Sequence, residues 1–216
     1  LTEKDFLTGL ELKTAPYRAV DTRQDLSEAV DALGLPAILK TRRFGYDGKG
    51  QARLSTQEDQ APAIADMAGQ AAILEGFISF SKEISIIGAR NSAGDVTCFD
   101  PGENIHQAGI LRTTSVPAQI NATQRMDAVL LAAKIMNALD YVGVMGVELF
   151  VTGQGLIVNE IAPRVHNSGH WTQNGCAVDQ FEQHIRAIAN WPLADGSRHS
   201  DVTMTNLIGN DLDALE

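Results

Sequence analysis

The sequence is poor in cysteine, in aromatic residues and in long apolar runs. Its two cysteines, Cys98 and Cys176, lie far apart without CxxC spacing, so we expect reduced, buried thiols rather than a disulfide or metal site. No stretch approaches the roughly 20 apolar residues of a membrane span, and the N-terminus lacks the charged-then-apolar pattern of a signal peptide. We therefore expect a cytoplasmic protein without a membrane segment.

Basic charge is also scarce, with 17 Lys and Arg against 27 Asp and Glu and a formal net charge of -10. A broad basic surface is thereby excluded, and with it non-specific binding of nucleic acid or attraction to anionic membranes. The net charge is still compatible with a local basic site that binds phosphate. The length of 216 residues, 44% of them hydrophobic, is typical of a globular protein with one large or two modest domains.

Helix and strand signals alternate along the chain. Thr2 to Asp5 has a capping-box spacing that predicts a helix start, and residues 24–33 have helical periodicity before Gly34 and Pro36. Helices are also predicted over 58–68 and 122–139, the latter with an inner stripe of Met126, Val129, Leu130, Ala133 and Met136 or Asn137. Predicted strands cover 37–41, 72–78, 83–90, 96–100, 142–152 and 156–161. The resulting fold class is α+β with much antiparallel sheet.

A glycine-rich segment follows the strand at 37–41. Glycines at 45, 48 and 50 let the backbone turn sharply and approach an anion, and Lys49 places a positive charge beside it. The pattern is neither GxxxxGK[ST] nor GxGxxG. These residues alone therefore fit a phosphate cradle or a plain hairpin, and Lys40 fits a phosphate ligand or a snorkelling surface residue.

Two glutamates are predicted to face each other across a hairpin. If residues 153–155 form a three-residue turn, Thr152 faces Leu156, and four positions back Glu148 faces Glu160. Carboxylates so paired repel, and a divalent cation such as Mg²⁺ would relieve the repulsion. A solvated pair is the alternative, and a one-residue slip in register would change the pairing.

A dense polar segment follows the second glutamate. Arg164 offers a planar donor fork for a carboxylate or bicarbonate, and His166 and Asn167 can hydrogen-bond the same small anion. A loop held by structural hydrogen bonds is the alternative.

Three segments resemble the N5-carboxyaminoimidazole ribonucleotide synthase family of ATP-grasp enzymes: LKTRRFGYDGKGQ at 39–51, NEIAPRVHNSGHWT at 159–172 and DQFEQHIRAI at 179–188. The resemblance runs through nearly the whole chain. It implies an ATP-grasp fold in which two α+β subdomains hold ATP between antiparallel sheets. The implied boundaries are a small subdomain at 1–78, a large one at 79–196 and the start of a C-terminal module, with a strand at 201–208, at 197–216.

The resemblance also implies a reaction of de novo purine biosynthesis. ATP and bicarbonate would carboxylate 5-aminoimidazole ribonucleotide through carboxyphosphate, giving ADP and phosphate. Glu148 and Glu160 would bind Mg²⁺ or Mn²⁺, whereas Arg164, His166 and Asn167 would face bicarbonate and the nucleotide substrate. The residues that it places around ATP are Lys40, Gly45, Tyr46, Asp47, Gly48, Lys49, Gly50, Gln51, Glu75, Gly76, Phe77, Ile78, Glu83, His106, Asn159 and Glu160.

Several expectations concern what surrounds this chain. Leu1 in place of Met predicts a piece of a longer protein, because family members extend beyond both ends, and we expect the piece to bind ATP without turnover. Relatives suggest a homodimer. Ala162 stands where many ATP-grasp proteins have an asparagine ligand, which leaves the third metal ligand open. Alternative functions are another ATP-grasp ligase, such as the formate-dependent glycinamide ribonucleotide transformylase or a biotin carboxylase, and a non-catalytic ATP-binding module.

Overall fold

The computed structural model describes residues 1–43, 50–209 and 211. Clustering of contacts divides the chain into a first unit, Leu1–Ser79 with Ala108–Ile110, and a second unit, Phe80–Gln107 with Leu111–Glu216. The assignment of subdomains and of a C-terminal module to sequence ranges stays a prediction. Five of the predicted ATP ligands lie outside the described residues: Gly45, Tyr46, Asp47, Gly48 and Lys49.

Among its described residues, the first unit has an antiparallel sheet and three α-helices. The helices are α1 (Thr2–Gly9), α2 (Arg23–Leu33) and α3 (Gln60–Asp66), and a 3-10 turn at Gln57–Asp59 precedes α3. The strands are β1 (Tyr17–Val20), β2 (Ala37–Thr41), β3 (Gln51–Leu54) and β4 (Ala72–Gly76), in the order β1-β4-β2-β3. The predicted strand at 37–41 is confirmed, whereas the one predicted over 72–78 ends at Gly76.

The second unit is built on a larger sheet, with seven strands among its described residues. Its strands are β5 (Lys82–Arg90), β6 (Val96–Cys98), β7 (Gly102–Gln107), β8 (Ile110–Val116), β9 (Gly143–Thr152), β10 (Gly155–Ala162) and β11 (Val202–Thr205). They follow the order β10-β9-β5-β7-β8-β11, and β6 pairs with β5 as predicted. The helices are α4 (Ala122–Ala138), α5 (Thr172–Gly175) and α6 (Gln180–Ile188), with a 3-10 turn at Asn167–Gly169. The predicted α+β class with antiparallel sheets is confirmed.

Two helix starts in the first unit differ in how they are capped. Thr22 precedes α2 in extended conformation, and its side chain and that of Asp25 each accept the other residue's backbone N–H. The capping box predicted at Thr2 is wrong: Thr2 already belongs to α1, whose N-cap is Leu1 and has no side-chain cap. A Thr can cap a helix only from the position before the first turn, where its hydroxyl reaches the free N–H groups.

Helix α4 packs against one face of the larger sheet through small residues. The buried positions are Ala128, Ala132, Ile135 and Met136. The predicted inner stripe is therefore wrong at Met126 and Leu130, which are 57% and 58% exposed. Apolar residues surround most of this helix, so periodicity did not select a face, and alanines allow the closer approach to the sheet.

This packing leaves the opposite sheet face for polar residues. A Cβ added to Gly88 of β5 would lie 2.9 Å from Sδ of Met136, so α4 rests on bare backbone there. Ser85 lies an odd number of positions from Gly88 and therefore points to the other face. That face carries the site described below.

None of the described helices is long and apolar enough to cross a membrane. Cys98 is half-buried, Cys176 is buried, and both are free.

The difference in capping predicts a difference in stability. Thr22→Ala should lower the free energy of unfolding by about 1 kcal/mol, because the backbone N–H of Asp25 in the first turn of α2 loses its partner. Thr2→Ala is the matched control and should change it by less than about 0.5 kcal/mol, as expected for a surface substitution without a cap. Urea denaturation of the three proteins measures both values, and equal losses in the two variants would contradict the assignment.

Candidate active site

The β9-β10 hairpin brings Glu148 and Glu160 into register by a different route from the predicted one. Gly155 pairs with Thr152, so the turn has two residues rather than the predicted three. This shift by itself would misalign the glutamates by one residue. A bulge between Val158 and Glu160 inserts Asn159 as an extra residue and restores the pairing of Glu160 with Glu148. The predicted pair is confirmed, and the predicted turn is wrong.

The paired glutamates form a candidate metal centre with His166. One ligand atom from each of the three side chains lies within 4.8 Å of the others. Nδ2 of Asn159 donates to Oε2 of Glu148 at 3.4 Å. Mg²⁺ prefers oxygen ligands at about 2.0–2.1 Å and usually binds one or two carboxylates together with phosphate oxygens. The two carboxylates therefore fit Mg²⁺, and the imidazole is better suited to a neighbouring hydrogen bond.

The pKa shifts around the carboxylate pair indicate an excess of negative charge at this site. Burial and the nearby carboxylate of Glu160 together raise the pKa of Glu148 to about 7, against the opposite effect of His106. Burial lowers the pKa of His166 to about 4, helped by the positive charges of Arg164 and His106. His166 is therefore neutral at pH 7, and its Nε2, 3.7 Å from Oε1 of Glu148, does not supply the missing charge.

His166 is held in place by buried contacts from several elements. Its backbone N–H donates to Oε1 of Gln180 at 2.9 Å, and Nε2 of Gln180 donates to its carbonyl oxygen at 2.7 Å. Nδ1 of His166 lies 2.8 Å from Oγ of Ser168. A Cβ on Gly146 would come within 2.9 Å of the Cβ and Cγ of His166, so glycine makes room for the ring. The ring is thus fixed beside Glu148.

The other two residues of the polar segment lie differently. Arg164 is exposed, and its guanidinium donates to the carbonyl oxygen of Val165 at 2.9 Å. Oδ1 of Asn167 accepts the backbone N–H of Ser168 at 2.9 Å and so supports the 3-10 turn. The loop therefore does contain structural hydrogen bonds, while its exposed guanidinium is placed to meet an anion.

A second polar pair occupies the same sheet. Nδ1 of His106 on β7 lies 2.6 Å from Oε2 of Glu83 on β5. The contact with Glu83 raises the pKa of His106 against the effect of burial. Ser85 and Asn104 are also buried here, and Oγ of Ser85 and Nδ2 of Asn104 have no hydrogen-bond partner among the described residues. Such orphaned groups are typical of a surface that a polar ligand completes.

The first unit holds the remaining predicted residues. Nζ of Lys40 lies 2.9 Å from Oε2 of Glu75, and Nζ of Lys4 lies 3.3 Å from Oε1 of the same carboxylate. Lys40 pairs across the strands with Gln51, so residues 42–50 connect two adjacent antiparallel strands. Gly50 has a φ of 72° and would place a Cβ 2.6 Å from Oγ1 of Thr41, so only glycine fits there.

The predicted adenine-facing stretch at the end of β4 also belongs to this unit. Gly76 packs against Pro16, and the N–H of Phe77 donates to the carbonyl oxygen of Pro36 at 3.2 Å. The Phe77 ring is 41% exposed, with the guanidinium of Arg53 4.6 Å from its centroid, and Ile78 is half-buried. An exposed aromatic ring and half-buried Ile78 offer an apolar surface.

Antiparallel α+β units and a carboxylate pair suited to Mg²⁺ are features expected of an ATP-grasp domain. Residues 5–181 match the ATP-grasp domain family, and the chain belongs to it.

Within this family the chain is similar to N5-carboxyaminoimidazole ribonucleotide synthases. It is 54% identical to the one from Brucella melitensis, over 99% of this chain and 60% of that protein. A crystal structure of an ADP complex of such a synthetase has a TM-score of 0.96 at 40% identity, over 99% of this chain and 57% of the other. The Aspergillus clavatus enzyme in complex with ADP and 5-aminoimidazole ribonucleotide has a TM-score of 0.91 at 28% identity, over 99% and 58%. The chain thus spans less than two thirds of these relatives.

Sequence reasoning missed several residues that shape the site. Lys4 gave no signal, because one lysine in an N-terminal helix resembles any exposed lysine. Gln180 and Ser168 lie in segments that carried the family resemblance, but a pattern does not show that their side chains hold His166. Ser85 was hidden in a strand of otherwise apolar residues, where a single serine is common.

The raised pKa of Glu148 predicts a pH-dependent gain in stability from Glu148→Gln without divalent cations. Because the folded pKa is about 7 and the ordinary value is 4.5, the folded state binds the proton more tightly, and stability is lost as pH rises from 4.5 through 7. Glutamine has no charge to bury, so the variant should be more stable than the parent by roughly 2–3 kcal/mol at pH 8 and about equal at pH 4.5.

Urea denaturation at both pH values, with and without MgCl₂, measures this effect. Mg²⁺ should stabilise the parent at pH 8 and have a much smaller effect on the variant, because a ligand of the cation is lost. A stability difference that is the same at both pH values would contradict the pKa assignment.

The space at Gly146 predicts that a single methyl group disturbs the site. Gly146→Ala should displace His166 and destabilise the protein by about 1–3 kcal/mol, the usual range for an overpacked site. Gly153→Ala in the hairpin turn is the control, because its Cβ would have no atom within 4 Å. Thermal unfolding and Mn²⁺ titration of both variants are the measurements. Unchanged Mn²⁺ affinity in Gly146→Ala would show that the position of His166 does not affect metal binding.

Proposed function

We propose that this chain is the ATP-binding and phosphoryl-transfer part of an enzyme that carboxylates 5-aminoimidazole ribonucleotide. Bicarbonate supplies the carboxyl group, ATP is converted to ADP and phosphate, and the product is N5-carboxyaminoimidazole ribonucleotide. The observation that carries the proposal is the pair of facing carboxylates, Glu148 and Glu160, held in register by the bulge at Asn159. The 54% identity to the Brucella melitensis synthase supports the choice of substrate.

Each unit holds residues that we assign to nucleotide binding. In the first unit, Lys40 and the segment Gly45 to Gln51 bind phosphates, and residues Glu75 to Ile78 border the adenine. In the second, Glu83 and His106 bind the ribose side of the nucleotide. Glu148 and Glu160 hold Mg²⁺, or Mn²⁺ in its place, with Asn159 beside them. When bound, the cation neutralises phosphate oxygens and so assists transfer of the γ-phosphoryl group.

The chemical step requires positioning rather than a protein nucleophile. An oxygen of bicarbonate forms a bond to the γ-phosphorus while the bond to the leaving ADP breaks, which gives carboxyphosphate. The amine of the substrate then takes up the carboxyl carbon, phosphate leaves, and the amine loses a proton. Arg164 offers its exposed guanidinium to the bicarbonate, and Asn167 extends this polar edge.

Neutral His166 contributes in a different way. Its low pKa means that it adds no charge to the carboxylate pair, so Glu148 remains free to bind a cation. A neutral imidazole can also accept or donate a hydrogen bond to the small anion without a competing ion pair. The electrostatic stabilisation of the transferred group comes from the lysines and from the cation when it is bound.

A chimaera tests the proposed function. This chain replaces the matching segment of the Brucella melitensis synthase, which supplies the remaining 40% of that protein. We expect ADP formation that depends on both bicarbonate and 5-aminoimidazole ribonucleotide. Dependence on formate instead would favour a transformylase, and ATP binding without turnover in any substrate mixture would favour a non-catalytic module. Either result would overturn the proposal.

Glu160→Gln in the same chimaera should lower kcat by at least about 100-fold, as expected when a group that stabilises transition-state charge is removed. The matched control is Glu28→Gln, an exposed glutamate of α2 whose Oε1 accepts a hydrogen bond from Nε2 of Gln24. Steady-state assays of ADP release at saturating Mg²⁺ measure both. Equal activity of the Glu160 variant and the parent would show that the reaction does not require this carboxylate.

We also propose that the whole protein acts as a cytoplasmic homodimer, which is the expectation that the family resemblance gave. The chain by itself is expected to bind MgATP without steady turnover. Sedimentation equilibrium and isothermal titration calorimetry test these two expectations directly.

A further inference from the structure

Glu75 is a buried carboxylate with a lysine on each of its oxygens. Its side chain is 8% exposed, and that of Lys4 is 6% exposed. Lys40, on the other oxygen, retains 29% exposure. A buried carboxylate needs one cation to be neutralised, and this one has two. The arrangement therefore contains one positive charge more than the ion pairing requires.

The three side chains meet on one face of the smaller sheet, which α1 covers. Glu75 on β4 pairs with Ile38 on β2, and Lys40 lies two positions further along on the same face. On the other side Glu75 pairs with Tyr17 of β1, whose hydroxyl donates to Asp5 of α1 at 2.7 Å. Lys4 reaches the carboxylate from the same helix, so α1 is attached over this face by two polar contacts.

The charged groups of the cluster differ in how strongly they can act on a phosphate bound beside it. Burial raises the pKa of Glu75, but Lys40 and Lys4 together outweigh it and keep the pKa below its ordinary value. Burial lowers the pKa of Lys4, while Glu75 opposes that change. With both lysines charged, the cluster has a net charge of +1. Without Lys4 the pair of Lys40 and Glu75 would be neutral and would attract a phosphate only weakly.

We propose that Lys4 is a positioning residue for ATP. By neutralising Glu75 through one carboxylate oxygen, it leaves the charge of Lys40 available to phosphate. Lys40 has three N–H donors, and its contact with Oε2 of Glu75 uses one of them. The inference rests on the proposed binding of ATP phosphates by Lys40. Lys4 itself is too deeply buried to be a ligand, and it acts through Glu75.

The test compares ATP with adenosine as ligands of the wild-type chain and of Lys4→Met. Methionine keeps the length and the apolar stem of the side chain but has no charge. We expect the Kd for MgATP to increase about tenfold, which corresponds to about 1.4 kcal/mol. The Kd for adenosine should stay within about twofold, because the lost attraction acts on phosphate charge. Isothermal titration calorimetry at two salt concentrations measures both ligands.

A double variant separates charge from structure. Lys4→Met combined with Glu75→Gln again leaves Lys40 with an uncompensated charge, so it should bind MgATP at least about threefold more tightly than Lys4→Met alone. Lys4→Arg keeps the positive charge and should bind MgATP nearly as the wild type does. Lys13→Met removes an exposed lysine from the same unit and controls for a general loss of charge.

The outcomes distinguish this inference from the proposed function. Unchanged MgATP affinity in Lys4→Met overturns the role of Lys4, and so does an equal loss of ATP and adenosine binding, which a purely structural role predicts. If Lys4→Met does not fold, the double variant decides: it also removes the carboxylate that Lys4 neutralises, and a MgATP affinity that stays low overturns the inference. A wild-type chain that binds no MgATP overturns the proposed nucleotide site as a whole.

Discussion

The repulsion between two neighbouring carboxylates is the constraint on which the second unit depends. Glu148 is held opposite Glu160 by a hairpin that consists of the edge strand β10 and its neighbour β9. The pairing exists only because the bulge at Asn159 restores a register that the two-residue turn would otherwise shift. Buried β-structure maintains this unfavourable contact, as expected where a site is prepared for a cation before it binds.

The two units treat buried glutamates in opposite ways. Glu75 has two lysines, and their charge outweighs burial, so its pKa falls. Glu148 has a second carboxylate and a neutral histidine as neighbours, so burial and repulsion raise its pKa to about 7. In the first arrangement the protein neutralises the carboxylate with its own lysines and retains one extra positive charge. The second arrangement lacks a positive charge. A phosphate anion would complement the first arrangement, and a divalent cation would complement the second, as the proposed function requires.

Much of the fold could be predicted because local patterns and tertiary packing agreed. Residues 24–33 had one apolar stripe, and α2 buries it as predicted through Leu26, Ala29 and Val30. In α4 apolar residues occupy most of the helix circumference. The sequence therefore could not show that Ala128 and Ala132 would be buried and Leu130 exposed. The turn at 153–154 was misjudged for a related reason: two glycines flanking Gln154 permit more than one turn length, and only pairing across the strands selects one.

The sequence by itself determined the secondary structure class, the family and the presence of facing glutamates in one hairpin, because these depend on residue type and on short spacings. Only the tertiary structure decided that Glu75 is shared by Lys4 and Lys40, that Gln180 holds the backbone of His166, and that Asn159 forms the bulge that aligns the metal ligands. Lys4 and Glu75 are separated by 71 positions, and no local pattern links them. Their contact follows from the packing of α1 on the sheet, which depends on many weak interactions acting together rather than on any motif.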